Sequence, residues 1–579
     1  MKYLSKLASV ISLVVLTSCG GGGGSSGGGS SSGVSSGITI NASNLSPNVE
    51  EILTLTWSGN GVSSCTGTGG LSGALLSSGT QTVQITSTKP VTYTITCATE
   101  SGMVTNSIAV NPILPPNKIF ASSPLLLPDL STKFNSLCGS SVGIQTAVAA
   151  NILGHKDGKK DIVAGLWCQA TVGAQITTPT ISGIVVLTQQ ADGSFIDDTK
   201  RIFGIDLISA GGGVPSRAVA YDMNNDGYDE VFFAVTGEDG RSLPIGFTGN
   251  NRQNLVLTSA SNGAYRTDLI GYPSYNYMVQ LVDGPNSTKD ILTATIGYGG
   301  RDQAFRLQGN QWITVNDYSG GPAFSSSFYA SGNSSMQVNS AIAPNSNLTG
   351  LTLQKNTANG WQNTSSWSMT YTPGVNYSSW NGDLGAMSIV TVDGSDYGFV
   401  SFNDNCRLKK QDGTTSSLFA VPAQKIVGGY QSGRSLTESN PNDFQNSLMF
   451  LAFYESGGSL VRDVLTFRNS ITSLNFFGLK CMDFNGDGAD DVMVTNWGIG
   501  QKPNFYIQEN NTSLALVDPS RIPAASTKFN GAISIYEDID GDGIPDLLYF
   551  PINGIIGAVQ NVNFQLFKGY RSIVPSDRL

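Results

Sequence analysis

Short runs of alternating apolar and polar residues, separated by breaks rich in Gly, Ser, Asn and Asp, fill most of this chain. Leu53-Thr-Leu-Thr-Trp57, Thr82-Val-Gln-Ile-Thr86 and Val91-Thr-Tyr-Thr-Ile-Thr-Cys97 place apolar side chains at every second position, the period of a strand with one buried face. Farther along, Ala218-Val-Ala-Tyr221, Glu230-Val-Phe-Phe-Ala-Val235, Asp491-Val-Met-Val-Thr495 and Leu547-Leu-Tyr-Phe550 are β-branched and aromatic, again strand chemistry. Long stretches with apolar residues at helical spacing are hard to find. The pattern predicts an all-β fold.

From about residue 113 to the C-terminus the strands recur with a common punctuation. Hairpins are predicted at Val185-Val-Leu-Thr-Gln-Gln-Ala-Asp192-Gly193-Ser-Phe195, at Leu353 to Trp361 through Asn359-Gly360, and at Phe505 to Leu514; Asp-Gly and Asn-Gly suit tight turns that need positive φ. Before such hairpins stand three nine-residue loops, Asp222 to Glu230, Asp483 to Asp491 and Asp538 to Asp546, each reading D-x-[DN]-x-D-G-x-x-[DE]. Eroded versions occur at Lys156-Asp-Gly-Lys-Lys-Asp161, Asp283 to Asp290 and Val392-Asp-Gly-Ser-Asp396. Loop-plus-hairpin units number about eight, with a mean period of about 58 residues, enough for a four-stranded unit.

The spacing within the intact loops is that of calcium ligands. Oxygen side chains at positions 1, 3 and 5 converge, Gly at 6 permits a sharp turn, position 7 can offer its carbonyl, and a carboxylate at 9 can close the shell. The candidate ligand sets are Asp222, Asn224, Asp226, Tyr228 and Glu230; Asp483, Asn485, Asp487, Ala489 and Asp491; and Asp538, Asp540, Asp542, Ile544 and Asp546. They imply Ca2+ at about three sites. Strand, loop and apolar strand together resemble the FG-GAP (VCBS-type) repeat of integrin-α-like β-propellers, and Phe477-Gly478 before the second loop matches that family's "FG". The resemblance implies a propeller over 113–579. Seven or eight blades are expected, an arrangement that leaves no long exposed sheet edge.

The segment 38–112 resembles a bacterial Ig-like β-sandwich through Leu-Thr-Trp57-Ser, Ser-Ser-Cys65 and Tyr93-Thr-Ile-Thr-Cys97. That resemblance implies a disulfide between Cys65 and Cys97, although Trp57 precedes both cysteines, whereas in antibody domains it lies between them. Ahead of this segment, residues 1–18 read as an export signal. Lys2 and Lys6 form a basic start, and Leu7 to Leu16 is an apolar core too short to span a bilayer. Leu16-Thr-Ser-Cys19 resembles the lipobox of bacterial lipoproteins, which implies a lipidated Cys19 anchored in the membrane. Residues 19–37 then form a Gly/Ser linker with a reach of roughly 20 Å or more. Gly20 rather than Asp after the Cys implies, within that family, an outer-membrane address, periplasmic or cell-surface exposed.

Composition narrows the function. Of 579 residues only 13% are charged, the formal net charge is −10, and there are 69 Gly, one His and seven Cys. An acidic chain has the wrong sign for nucleic acid and suits cations. Without Cys19 the cysteines are even in number, and Cys138, Cys168, Cys406 and Cys481 have no pairing assigned by the sequence. His155 sits in an eroded loop, and no P-loop or Cys-x-x-Cys pair is present. Trp361, Trp367, Tyr371, Tyr377 and Trp380 form an aromatic, otherwise polar segment that could stack on sugar rings, anchor a protein or pack between outer strands. The expectation is a membrane-anchored, calcium-stabilised binding or adhesion protein with a glycan or protein partner. The alternative is a calcium-dependent carbohydrate-active enzyme such as a polysaccharide lyase.

Overall fold

The computed structural model describes residues 37–71, 74–87, 89–115, 118–130, 143–168, 181–210, 213–236, 252–274, 276–283, 288–295, 301–319, 476–496, 502–510, 513–526, 532–551 and 564–579. It also gives the backbone of the hairpin 171–172/175–176 and of strands between 324 and 468. The chain divides into two compact units, Met1–Pro115 and Pro116–Leu579. Strand dominates both, and the helix Thr199–Phe203 is only five residues long.

In the first unit, Gly37–Ala42, Ile52–Asn60 and Ser78–Gln84 form one antiparallel sheet, and Ala74–Leu75, Val62–Thr68, Val91–Thr99 and Gly102–Val110 form another. Alternation decides which side chains are inside: Leu53, Leu55 and Trp57 on one sheet and Tyr93, Ile95 and Cys97 on the other are all buried. The Trp57 indole N–H donates to the Leu76 carbonyl at 3.0 Å, and its ring lies so close to Gly79 that a Cβ there would meet it at 2.5 Å. Cys65 and Cys97 are bonded, as the Ig-like resemblance implies. They stand directly opposite on neighbouring strands with Cα atoms 4.0 Å apart, so the bridge lies within a sheet rather than between two. Ile113 donates to the Pro47 carbonyl and accepts from Val49 N–H, which ties the end of this unit to its body.

The second unit is a run of mainly antiparallel sheets built from strands adjacent in sequence, except that the strands from 387 to 468 and from 476 to 516 join in one nine-stranded sheet through a parallel pairing of Thr466–Arg468 with Ser513–Ala515. Val214–Tyr221, Glu230–Thr236, Arg252–Ser259 and Tyr265–Ser274 make one; Asn276–Asp283, Lys289–Thr295, Arg301–Gln308 and Gln311–Ser319 make the next. Phe476–Met482, Asp491–Asn496, Asn504–Asn510 and Ser513–Leu516 repeat the order, as do Ala532–Glu537, Asp546–Pro551 and Gln565–Phe567. Leu125–Leu126, from the start of the unit, supplies the fourth strand of this last sheet by pairing with Gln565 and Leu566. A further sheet, built on Gly143–Ala150, Asp161–Cys168, Ile181–Gln189 and Phe195–Asp197, also accepts Leu207–Ala210.

Second strands read as continuous apolar runs because both faces are covered. Every residue of Glu230–Thr236 is buried. On Asp161–Cys168, Ile162, Ala164 and Leu166 pack with Ile535, Leu548 and Phe550 of the last sheet, while Val163 faces the other way, against Val231 and Phe233. The last sheet in turn packs Tyr536, Leu547 and Tyr549 against Met493 and Phe505. Thus the first sheet of the unit is in contact with the last. Rings of Phe120, Phe484, Phe505 and Tyr536 meet near edge-on at several of these contacts, the arrangement aromatic quadrupoles favour.

Candidate metal loops

All three intact loops connect the first and second strands of a sheet, and the eroded loops occupy the same place in theirs. The local wrapping follows one plan in all three. Asp222 accepts from the N–H groups of Asp226 and Gly227, Asn224 from Asp226, and Asp226 from Tyr228, at 2.9–3.0 Å. Asp483 likewise accepts from Gly486, Asp487 and Gly488, Asn485 from Asp487, and Asp487 from Ala489. In the third loop Asp538 accepts from Gly541 and Gly543, Asp540 from Asp542, and Asp542 from Ile544. These bonds fold the backbone so that positions 1, 3 and 5 turn inward. Carboxylate oxygens of Asp538, Asp540 and Asp542 lie within 4.8 Å of one another. Such an all-oxygen donor set fits a hard divalent cation.

Position 4, which the motif leaves open, carries a backbone demand. Asn225, Gly486 and Gly541 there have φ of 59°, 74° and 75°, a left-handed conformation that Gly and Asn tolerate best. The Asn/Gly/Gly choice at this position was the available signal. In the third loop Gly is needed twice over, because a Cβ on Gly541 would strike the Asp157 carbonyl of the neighbouring eroded loop.

The ninth-position carboxylates do more than face an ion. Glu230, Asp491 and Asp546 are 2%, 0% and 1% exposed. Each accepts N–H bonds both from the start of its own loop and from the third strand or just past its end: Met223 and Ser259 to Glu230, Phe484 and Gln508 to Asp491, Ile539, Asp540 and Gly569 to Asp546. Burial pushes all three up to about 7, against the lowering effect of those donors. Asp546 is not among the clustered oxygens of its loop. The carboxylate expected as a ligand at this position also anchors backbone. Position 7 shows no common side-chain role: the Tyr228 ring packs over Gly154 and Gly263, Ala489 is buried, and Ile544 is half-buried.

The eroded loop 153–161 replaces ligand chemistry with cations. His155 Nε2 lies 3.3 Å from Asp161 Oδ1, and Asp161, fully buried, also accepts from Ile152, Leu153 and Gln189 N–H. His155 is therefore engaged by a structural carboxylate. Lys160 N–H donates to the Ile539 carbonyl of the third metal loop, and its Nζ lies 3.3 Å from Asp229 of the first. Asn151 Nδ2 donates to the Gly227 carbonyl. The first and third metal loops are thereby joined through the eroded loop.

Cys481 is disulfide-bonded. Cys138 and Cys406 lie outside the described residues, as do Cys19, Tyr371, Tyr377 and Trp380; for Cys168, Trp361 and Trp367 only the backbone is described, the last two on the outermost strand of their sheet, Gly360–Ser368. Among the described residues no helix is long and apolar enough to cross a membrane.

Residues 483–549, which include the second and third loops, match the FG-GAP-like repeat family. No curated protein matches the chain. Among solved structures it is similar to Sqt1 of Chaetomium thermophilum (10% identity, TM-score 0.39, 78% of this chain and 98% of that one). It is also similar to the α-L-arabinanase of Penicillium chrysogenum complexed with arabinobiose (9%, 0.34, 61% and 92%) and to the rhamnogalacturonan lyase YesW (12%, 0.27, 93% and 92%). Likenesses this distant carry no functional weight.

Proposed function

We propose that this chain is a membrane-anchored, calcium-stabilised binding protein of the bacterial surface or periplasm, with a glycan or protein as its partner. The observation that carries the reading is the shared wrapping of three oxygen-lined loops, each between the first two strands of its repeat, with the first and third joined through the eroded loop 153–161. Ions there would stiffen the end of the sheets from which connecting loops project. In this reading Asp222, Asn224 and Asp226, and their counterparts in the other loops, hold Ca2+, while Glu230, Asp491 and Asp546 hold the loop backbone. The second unit is a propeller of seven or eight blades, a reading supported by the succession of sheets and by the packing of the first against the last; the first unit is an Ig-like sandwich, and Cys19 bears the lipid.

The lysines beside the loops argue against the lyase alternative, since Lys159, Lys160 and Lys568 are each ion-paired to a neighbouring Asp rather than held as a base. A glycan and protein array probed with the soluble form, in calcium and in chelator, tests the reading. A calcium-dependent hit without cleavage supports it; release of unsaturated ends from an acidic polysaccharide would replace it with the lyase.

A further inference from the structure

The third metal loop carries one more carboxylate at its ligand positions than the other two. Position 3 is Asn224 in the first loop and Asn485 in the second, but Asp540 in the third. The extra carboxylate meets a cation. Lys568 Nζ bonds Asp540 Oδ2 and lies 3.2 Å from Asp542 Oδ2, with its side chain 35% exposed.

Strand register places that lysine. Leu547 pairs with Phe567 just as Val231 pairs with Leu257 and Val492 with Tyr506, so the residues equivalent to Lys568 in the sheets of the other loops are Thr258 and Ile507. Neither is charged. In the sheet of the eroded loop 283–290, Ile291 pairs with Phe305, and the same seat is taken by Arg306, which grips the buried Asp290 through Nε and Nη2 at 2.6 and 2.7 Å. That loop lacks the acidic ligand set. A cation at this register is therefore a way for a sheet to neutralise the acid of its own loop.

Resting on the calcium reading above, we propose that Lys568 is a built-in competitor of calcium at the third loop. The ammonium and the ion share Asp540 and Asp542, so calcium binds there by displacing Lys568, and this site is the weakest of the three. Two like charges cannot sit on the same carboxylates without repulsion. The pairing also keeps the third loop compact at low calcium, and with it the contact between Ile539 and Lys160 that joins the last sheet to the first.

Calorimetric titration of the full chain with CaCl2, beside thermal melts in chelator and in calcium, tests this on the wild type, Lys568→Met and Lys568→Arg. Lys568→Met is expected to tighten one site about tenfold, to lower the melting temperature in chelator and to raise it in calcium. Lys568→Arg should keep the weak site. A merely structural lysine would shift both melts the same way, and that result, or calcium affinities unchanged by Lys568→Met, overturns the proposal while leaving the calcium reading intact. Failure of every form to bind calcium overturns both. Should the Met variant not fold, Lys568→Gln carries the same comparison.

Discussion

The backbone N–H of Gly569 donates to the buried Asp546 Oδ1 at 2.7 Å. The same bond joins Gln508 to Asp491, Ser259 to Glu230 and Gln189 to Asp161. The last carboxylate of each loop thus binds three pieces of backbone, its own strand, the loop start and the third strand or the chain just past its end, whether or not the loop keeps its other ligands.

Removing such an anchor strands buried donors. Asp491→Ala leaves Phe484 and Gln508 N–H without their acceptor, and each unsatisfied buried donor costs about 1–3 kcal/mol. Urea unfolding of the second unit in chelator should show a loss of that order per donor. Asp483→Ala under the same conditions, at a half-buried position, should cost less; equal losses would refute the anchoring role.

Calcium should stabilise the second unit. Extracellular sites bind with constants of about 10⁻⁴–10⁻³ M, so ion at ten times the constant contributes about 1.4 kcal/mol per site. Chelation is expected to lower the melting temperature of the unit containing the loops and to leave that of the first unit unmoved. Asp487→Ala or Asp542→Ala should remove part of the calcium effect, whereas Asp157→Ala in the eroded loop should not. A melt indifferent to millimolar calcium would dispose of the idea.

A pH profile separates the two states of the loops. Burial raises Glu230, Asp491 and Asp546 to about 7 in the folded, metal-free protein, from 4.5 for Glu and 3.8 for Asp. The folded state then holds more protons than the unfolded one, so this contribution to stability is fully present below about pH 4 and is lost as the pH rises through 7. In chelator the melting temperature should fall from pH 5 to pH 7.5, roughly; in saturating calcium, whose nearby positive charge favours the ionised form of these carboxylates, the fall should shrink or reverse. Parallel profiles in the two conditions would contradict this.

In the first unit, Cys65 and Cys97 close a loop with a sequence separation of 32. In the chain-entropy account a bridge of that span stabilises by about 3 kcal/mol. The double variant Cys65→Ala/Cys97→Ala should lower the melting temperature of this unit while leaving calcium binding in the second unchanged. A shift in the calcium titration would show that the two units are not independent in this respect.

What was legible in the sequence is what is local. The D-x-[DN]-x-D-G spacing placed the loops, the β-branched flanks placed strands on either side, and Asp192-Gly193 marked a turn that the structure closes from Gln190 to Ser194. The position-9 carboxylates were visible as acids, but their second task was not, since the donors Ser259, Gln508 and Gly569 lie on, or just past, a strand reached only after the chain has turned back. Lys568 and Arg306 were silent for the same reason: their meaning depends on register against a strand many residues earlier. Pro124-Leu-Leu-Leu-Pro128 carries neither alternation nor a turn signal that would reveal its partner.

That partner has a consequence for how the molecule is made. Leu125–Leu126 finds its ladder only on Gln565–Phe567, about 440 residues later, a separation whose closure entropy is among the largest the chain can incur. During synthesis the short strand must wait, unpaired, until Gln565–Phe567 has been made, and every nascent chain shorter than that lacks its seam. A nonsense codon or proteolytic nick before Gln565 would therefore not trim the second unit by one strand; it would leave its beginning and its end each with an unsatisfied edge, a ready template for another copy. Quality control for this fold is written into the strand Gln565–Phe567.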